Sequence, residues 1–138
     1  MSTVVLDASV ALAWCFPDET SDYAEQVLVA LKAEIVNVPT IWAIEITNAI
    51  VVGERSKRIV PIDVLRFEQL IGALTVIETS QTVRENIANI LPLAREFKLT
   101  AYDAAYLDLS ARLGAPLATL DKPLQNACRA AGIKLFKP

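Results

Sequence analysis

Asp7 closes the apolar run Val4-Val5-Leu6, and Asp121 closes Leu117-Ala118-Thr119-Leu120. Glu45 is embedded in Ile41-Trp42-Ala43-Ile44-Glu45-Ile46, and Asp103 in Ala101-Tyr102-Asp103-Ala104-Ala105-Tyr106. Carboxylates are rarely buried unless they are paired or bind a metal. None of these runs contains a basic residue to match its acid. Packed together without a cation, such groups repel and raise one another's pKa values. A shared site for a hard divalent ion removes the conflict. An oxygen donor set of this kind suits Mg²⁺ or Mn²⁺, as one ion or two. Ser9 follows Asp7 by two residues, Asn48 follows Glu45 by one helical turn, and Thr119 precedes Asp121 by two. These three could orient a carboxylate or bind ion-coordinated water, or they could be ordinary helix and turn residues.

Each acid has a plainer reading. Asp7 and Asp121 could cap the helices that follow them. Thr100-Ala101-Tyr102-Asp103 resembles a capping box with the acid at the third helical position. Glu45 is hardest to explain in this way. Its neighbours one turn away are Ile41, Trp42 and Ala49, and only Asn48 continues a polar stripe. Asp18, Glu19 and Asp22 read as a solvated connector. Glu54-Arg55-Ser56-Lys57-Arg58 reads as a helix end whose basic members, with Lys122, could also steer a phosphate backbone. Asp108 lies five residues after Asp103, which turns it to another side of the helix.

Several elements must bring the four acids together. Segments 3–7, 35–38, 75–78 and 117–120 are short and rich in Val, Ile, Leu and Thr, so they read as strands, with 133–136 as a fifth. Helical patterns fill 8–14, 21–33, 40–54, 61–73, 80–97, 101–113 and 122–131. Alternating strands and helices predict a three-layer α/β/α sandwich around a parallel sheet. The lack of strict apolar and polar alternation predicts strands buried on both faces. In open α/β sheets, sites form outside the carboxyl ends of the strands. Asp7 and Asp121 are each the first acid after a strand run, so parallel neighbours would aim both at one rim.

The bulk composition narrows the functional classes. The chain of 138 residues has the length of one domain, 1–138. It has no histidine, which removes Ser-His and Cys-His hydrolases and His-ligated zinc. Acid–base chemistry then falls to carboxylates, lysine, tyrosine or ion-activated water. A net charge of −3 argues against a general nucleic-acid coat but not against a nuclease with an acidic site. Cys15 and Cys128 are isolated among apolar neighbours and read as buried thiols. Charges interrupt every apolar stretch before the roughly 20 residues of a membrane span, and no leader pattern opens the chain, so a cytoplasmic location is expected. Apolar residues reach 54%, above the usual share of about 45–50%. The surplus predicts a surface covered by a second copy or a dedicated partner.

The chain resembles PIN-domain ribonucleases, in particular the VapC-like toxins of type II toxin–antitoxin pairs. The matching pieces are Val4-Val5-Leu6-Asp7-Ala8-Ser9, Pro39 with Glu45 and Asn48, Leu99 to Leu107, and Leu117 to Leu124. They run in order from Val4 to about Ile133. The resemblance implies a five-stranded parallel sheet between helices. It also implies that Asp7, Glu45, Asp103 and Asp121 form a catalytic Mg²⁺ or Mn²⁺ site supported by Ser9, Asn48 and Thr119. It further implies endonucleolytic cleavage of RNA, a homodimer, and inhibition by a small antitoxin. Two other classes stay open on the residues alone. A non-catalytic PIN-like scaffold would bind a partner without cutting. A receiver-like phosphoacceptor would need paired acids after the first strand, where only Asp7 stands.

Overall fold

The computed structural model describes residues 1–138. In chain order it contains β1 (Thr3–Leu6), α1 (Ala8–Cys15), a short 3-10 helix (Pro17–Glu19), α2 (Asp22–Leu31), β2 (Ile35–Pro39) and α3 (Ile41–Arg55). There follow α4 (Pro61–Gly72), β3 (Thr75–Thr79), α5 (Val83–Phe97), α6 (Ala101–Leu113), β4 (Leu117–Ala118) and α7 (Lys122–Ala131). The strands form one parallel sheet in the order β3-β2-β1-β4. Right-handed crossovers place α1 to α4 on one face and α5 to α7 on the other. The packing agrees: α1 touches α2, α3 and α4, while α6 lies on β1, β2 and β4 beside α5 and α7.

The helix ends follow from local chemistry. Ser21, Thr82 and Thr100 each accept a backbone N–H three residues on, which fixes the starts of α2, α5 and α6. Gly114 and Gly132 take left-handed φ values of 61° and 73° after α6 and α7, which lets the chain turn back toward the sheet. Fully buried Val5, Leu6, Leu107, Leu117 and Leu124 join sheet and helices in one apolar core. Each such side chain is worth roughly 1.5–3 kcal/mol relative to exposure. Cys15 and Cys128 are buried and unpaired, and burial pushes both thiols up to about 11.

The structure has four strands rather than five. Residues 133–136 run beside β4 as expected, yet only Leu117 and Leu135 pair, through Leu117 N–H to Lys134 and Phe136 N–H to Leu117. The physical reason lies in β4, which leaves the sheet after Ala118. The Thr119 carbonyl accepts the Gln125 amide, and the Thr119 hydroxyl bonds side chains and backbone at the rim. No ladder remains for a fifth strand to extend. The expectation of strands buried on both faces also fails at β3. It is an edge strand, and Thr75, Ile77 and Glu78 are exposed. No helix is long and apolar enough to cross a membrane.

Candidate active site

Strand order reverses direction between β1 and β4. From β1 the chain moves to β2 and β3, then returns across the sheet to β4. A crevice opens at such a switch point, outside the carboxyl ends of the strands. Asp7 directly follows β1, and its backbone N–H donates to the Ala118 carbonyl of β4 at 2.9 Å. That bond sets Asp7 and the Thr119–Asp121 segment side by side.

Asp7 occupies the N-cap position of α1 but makes no capping bond with its side chain. Instead its Oδ2 accepts from the Ser9 hydroxyl at 2.6 Å and the Thr119 hydroxyl at 2.7 Å. Those hydroxyls are oriented in turn. Ser9 Oγ accepts the Leu120 N–H at 3.0 Å, and Thr119 Oγ1 accepts the Asp121 N–H at 3.0 Å. Each hydroxyl therefore turns its proton to Asp7, and Oδ1 is left without a side-chain donor. Asp121 does serve as a cap, accepting from Leu124 N–H through Oδ2 at 3.0 Å. Its second oxygen stays free of that bond.

Glu45 projects from α3 and accepts the Tyr106 hydroxyl at 2.6 Å. Tyr106 is fully buried on α6, one turn after Asp103. Burial pushes its hydroxyl far above the ordinary tyrosine range, and the charge of Asp7 adds to this, so it remains a donor. Asp103 sits in the first turn of α6, where its backbone N–H is bound by the Thr100 side chain at 3.1 Å. The reverse half of the capping box is absent, and the Thr100 side chain also serves the Asp103 carboxylate as a hydrogen-bond partner.

The electrostatics tie these groups together. Asp7 is 4% exposed, and burial raises its pKa, with the charge of Asp121 adding to the effect. Burial also raises Glu45; the Tyr106 hydrogen bond opposes this, and Asp7 and Asp103 add to it. Asp103 is raised to about 6, first by burial and then by Asp121 and Asp7. Asp7 is thus the common neighbour: Asp121 acts on it, and it acts on both Glu45 and Asp103. No ion pair in the molecule involves any of the four acids; Arg58 pairs with Asp18 and Glu19, Arg66 with Asp63, and Arg112 with Asp108. A buried carboxylate with raised pKa, acidic neighbours and no basic partner is a donor set that a hard divalent cation fits. As placed, no three of the acids are yet drawn into a ligating group.

Other expected helpers are less engaged. Asn48 is exposed on α3, with no hydrogen bond to the four acids. Arg58 is committed elsewhere, bonded to Asp18 at 2.9 Å and to Glu19 at 3.2 Å, and lying over the Phe16 ring at 4.5 Å. Sequence reasoning missed Tyr106, because a tyrosine in an apolar helix looks like core. Its spacing of three from Asp103 was the available signal. Asp108, set aside in the sequence, is buried in a separate polar network. Its Oδ2 accepts Arg112 Nε at 2.9 Å and Gln81 Nε2 at 3.1 Å, and Gln81 in turn accepts Asn89 Nδ2 at 2.6 Å.

The family model of the PIN domain matches residues 4–130. No curated protein matches the chain. Among solved structures, the fold is similar to PAE2754 from Pyrobaculum aerophilum. That match has a TM-score of 0.66 and 21% identity, covering 91% of this chain and 79% of that one. The fold is also similar to FitAcB from Neisseria gonorrhoeae, with a TM-score of 0.65 and 18% identity, covering 98% of this chain and 97% of that one. At these identities the likeness is one of fold.

Proposed function

The chain belongs to the PIN-domain family, whose members are typically nucleases, and on that premise we propose that it is a Mg²⁺- or Mn²⁺-dependent endoribonuclease. The observation that supports this reading is a buried Asp7 at the switch point, electrostatically coupled to Glu45, Asp103 and Asp121, with no basic partner on any of them. The reaction is in-line hydrolysis of an RNA phosphodiester. A bound divalent ion, or a pair, supplies an activated water and offsets charge on the phosphate. Asp7 and Asp103 are the direct ligands. Ser9 and Thr119 hold Asp7 through Oδ2 and leave Oδ1 without a side-chain donor. Tyr106 fixes Glu45, which with Asp121 completes the coordination or orients the attacking water. An acidic rim repels RNA by itself, so Lys122, beside Asp121, helps to hold the backbone.

The same reading makes the chain the toxin of a toxin–antitoxin pair, a homodimer restrained by a small antitoxin. Exposed apolar side chains on α5, Val83, Ile87 and Leu91, supply surface for such contacts. The test is incubation of purified protein with single-stranded RNA and Mn²⁺, with and without a chelator. Internal cuts that vanish with chelator are expected. Intact RNA at every Mn²⁺ concentration would leave a binding scaffold as the better account.

A further inference from the structure

The acids occupy the rim above β1 and β4. Above β2 and β3 the same rim continues into a second feature, a cleft of about 140 Å³ between α5 and α6. Its walls include Thr79 at the end of β3, Gln81 and Asn86 before and on α5, Ile90, and Tyr102 and Arg112 on α6. Tyr102 immediately precedes Asp103, and the residue is 61% exposed. A core role does not explain an aromatic ring left so open beside an acidic site. The polar wall is held in place: Asp108 and Asn89 fix the Gln81 amide, and Asp108 holds Arg112 through Nε alone. The two terminal guanidinium nitrogens and the Asn86 side-chain amide make no hydrogen bond within the protein.

We propose that this cleft is a nucleobase subsite, which seats one unpaired base of the RNA next to the scissile phosphate and gives the cleavage its sequence preference. The inference rests on the nuclease reading above. Unpaired bases are bound by stacking on aromatic faces and by hydrogen bonds to their edges, and this cleft offers both. Tyr102 stacks the base. Asn86 and the free Arg112 nitrogens read its edge. Ile90 provides an apolar wall. Neighbouring strands lie about 4.8 Å apart, so the span from β1 to β3 is about 10 Å. That is the scale of an adjacent nucleotide reaching from the acids into the cleft.

The experiment uses short single-stranded RNAs cut by the unaltered protein with Mn²⁺. In a matched set, each nucleotide flanking the cut is made abasic in turn. One abasic position should lower kcat/KM by about tenfold, the scale of losing one base stack. In Tyr102→Ala and Asn86→Ala the ratio between intact and abasic substrate should fall toward one, and the distribution of cut sites in a mixed RNA pool should broaden. Tyr102 is exposed and Asn86 half-buried, and unchanged circular dichroism and melting check the folding of both variants. Cleavage with wild-type discrimination in both variants would overturn the subsite alone. No cleavage by the unaltered protein would overturn the nuclease reading and the subsite with it.

Discussion

At the scale of single residues, the site divides into acids and the groups that aim them. Removing one ligand charge should cost more than losing an orienting partner, which typically costs about 10–100-fold. Asp7→Asn and Asp103→Asn should therefore purify folded and lose about a hundredfold or more in RNA cleavage at matched Mn²⁺. Full activity in either would contradict the assignment. Tyr106→Phe should lower cleavage by about tenfold while the protein stays folded, because Glu45 loses the 2.6 Å bond that sets its direction. Unchanged kcat and Mn²⁺ dependence would show that Glu45 needs no such holder. The acids were legible because charge in an apolar run is an anomaly. The hydroxyl partners of Asp7 were legible only as neighbours in sequence, since the bond from Thr119 to Asp7 spans 112 positions. Tyr106 was legible only through its spacing of three from Asp103, because nothing else in its run separates a packed ring from a donor.

At the scale of elements, the helices marked by Pro39, Pro61, Thr100 and Gly114 fall within about one residue of their observed ends, whereas α5 starts at Val83 rather than 80, where Thr82 caps it, and α2 ends at Leu31 rather than 33. The strands were read less well. The run 117–120 predicts a strand throughout, but Thr119 and Leu120 are taken out of the sheet to build the rim. Edge exposure of β3 was also hidden, since strand order is a long-range property that no local pattern carries. Packing between elements gives a sharp test at Gly53 of α3. A Cβ there would lie 2.5 Å from Cε1 and 2.7 Å from Cζ of Phe16, a ring only 2% exposed. The ring has little room to move. Gly53→Ala should cost about 1–3 kcal/mol of stability by overpacking. A denaturation midpoint equal to wild type would show that the region following α1 yields more easily than its burial indicates.

At the scale of the molecule, stability and function oppose each other through charge. Asp7, Glu45 and Asp103 all hold protons more tightly when folded than their ordinary values allow. The folded state thus binds more protons than the unfolded one. The contribution of Asp103 is fully present below its ordinary value of 3.8 and is lost as pH rises through about 6. In chelator, the melting temperature should fall across that window, and Asp103→Asn should flatten the fall. Mn²⁺ at neutral pH should restore what the wild type loses. An identical pH profile in Asp103→Asn would separate Asp103 from the coupled acids. Exposed apolar residues on α5 predict a solution mass of twice 15.1 kDa, with Ile87→Lys reducing it to one copy. A monomer at all concentrations would assign that face to another partner.

The most direct measurement is Mn²⁺ binding by calorimetry near pH 6, in buffers of different ionisation heat, for the unaltered protein and Asp7→Asn. An ion entering this site must displace protons from the raised carboxylates. We expect binding by the unaltered protein with proton release, and a loss of both in Asp7→Asn. Equal binding by the two proteins, or none by either, would contradict a metal centre built on Asp7.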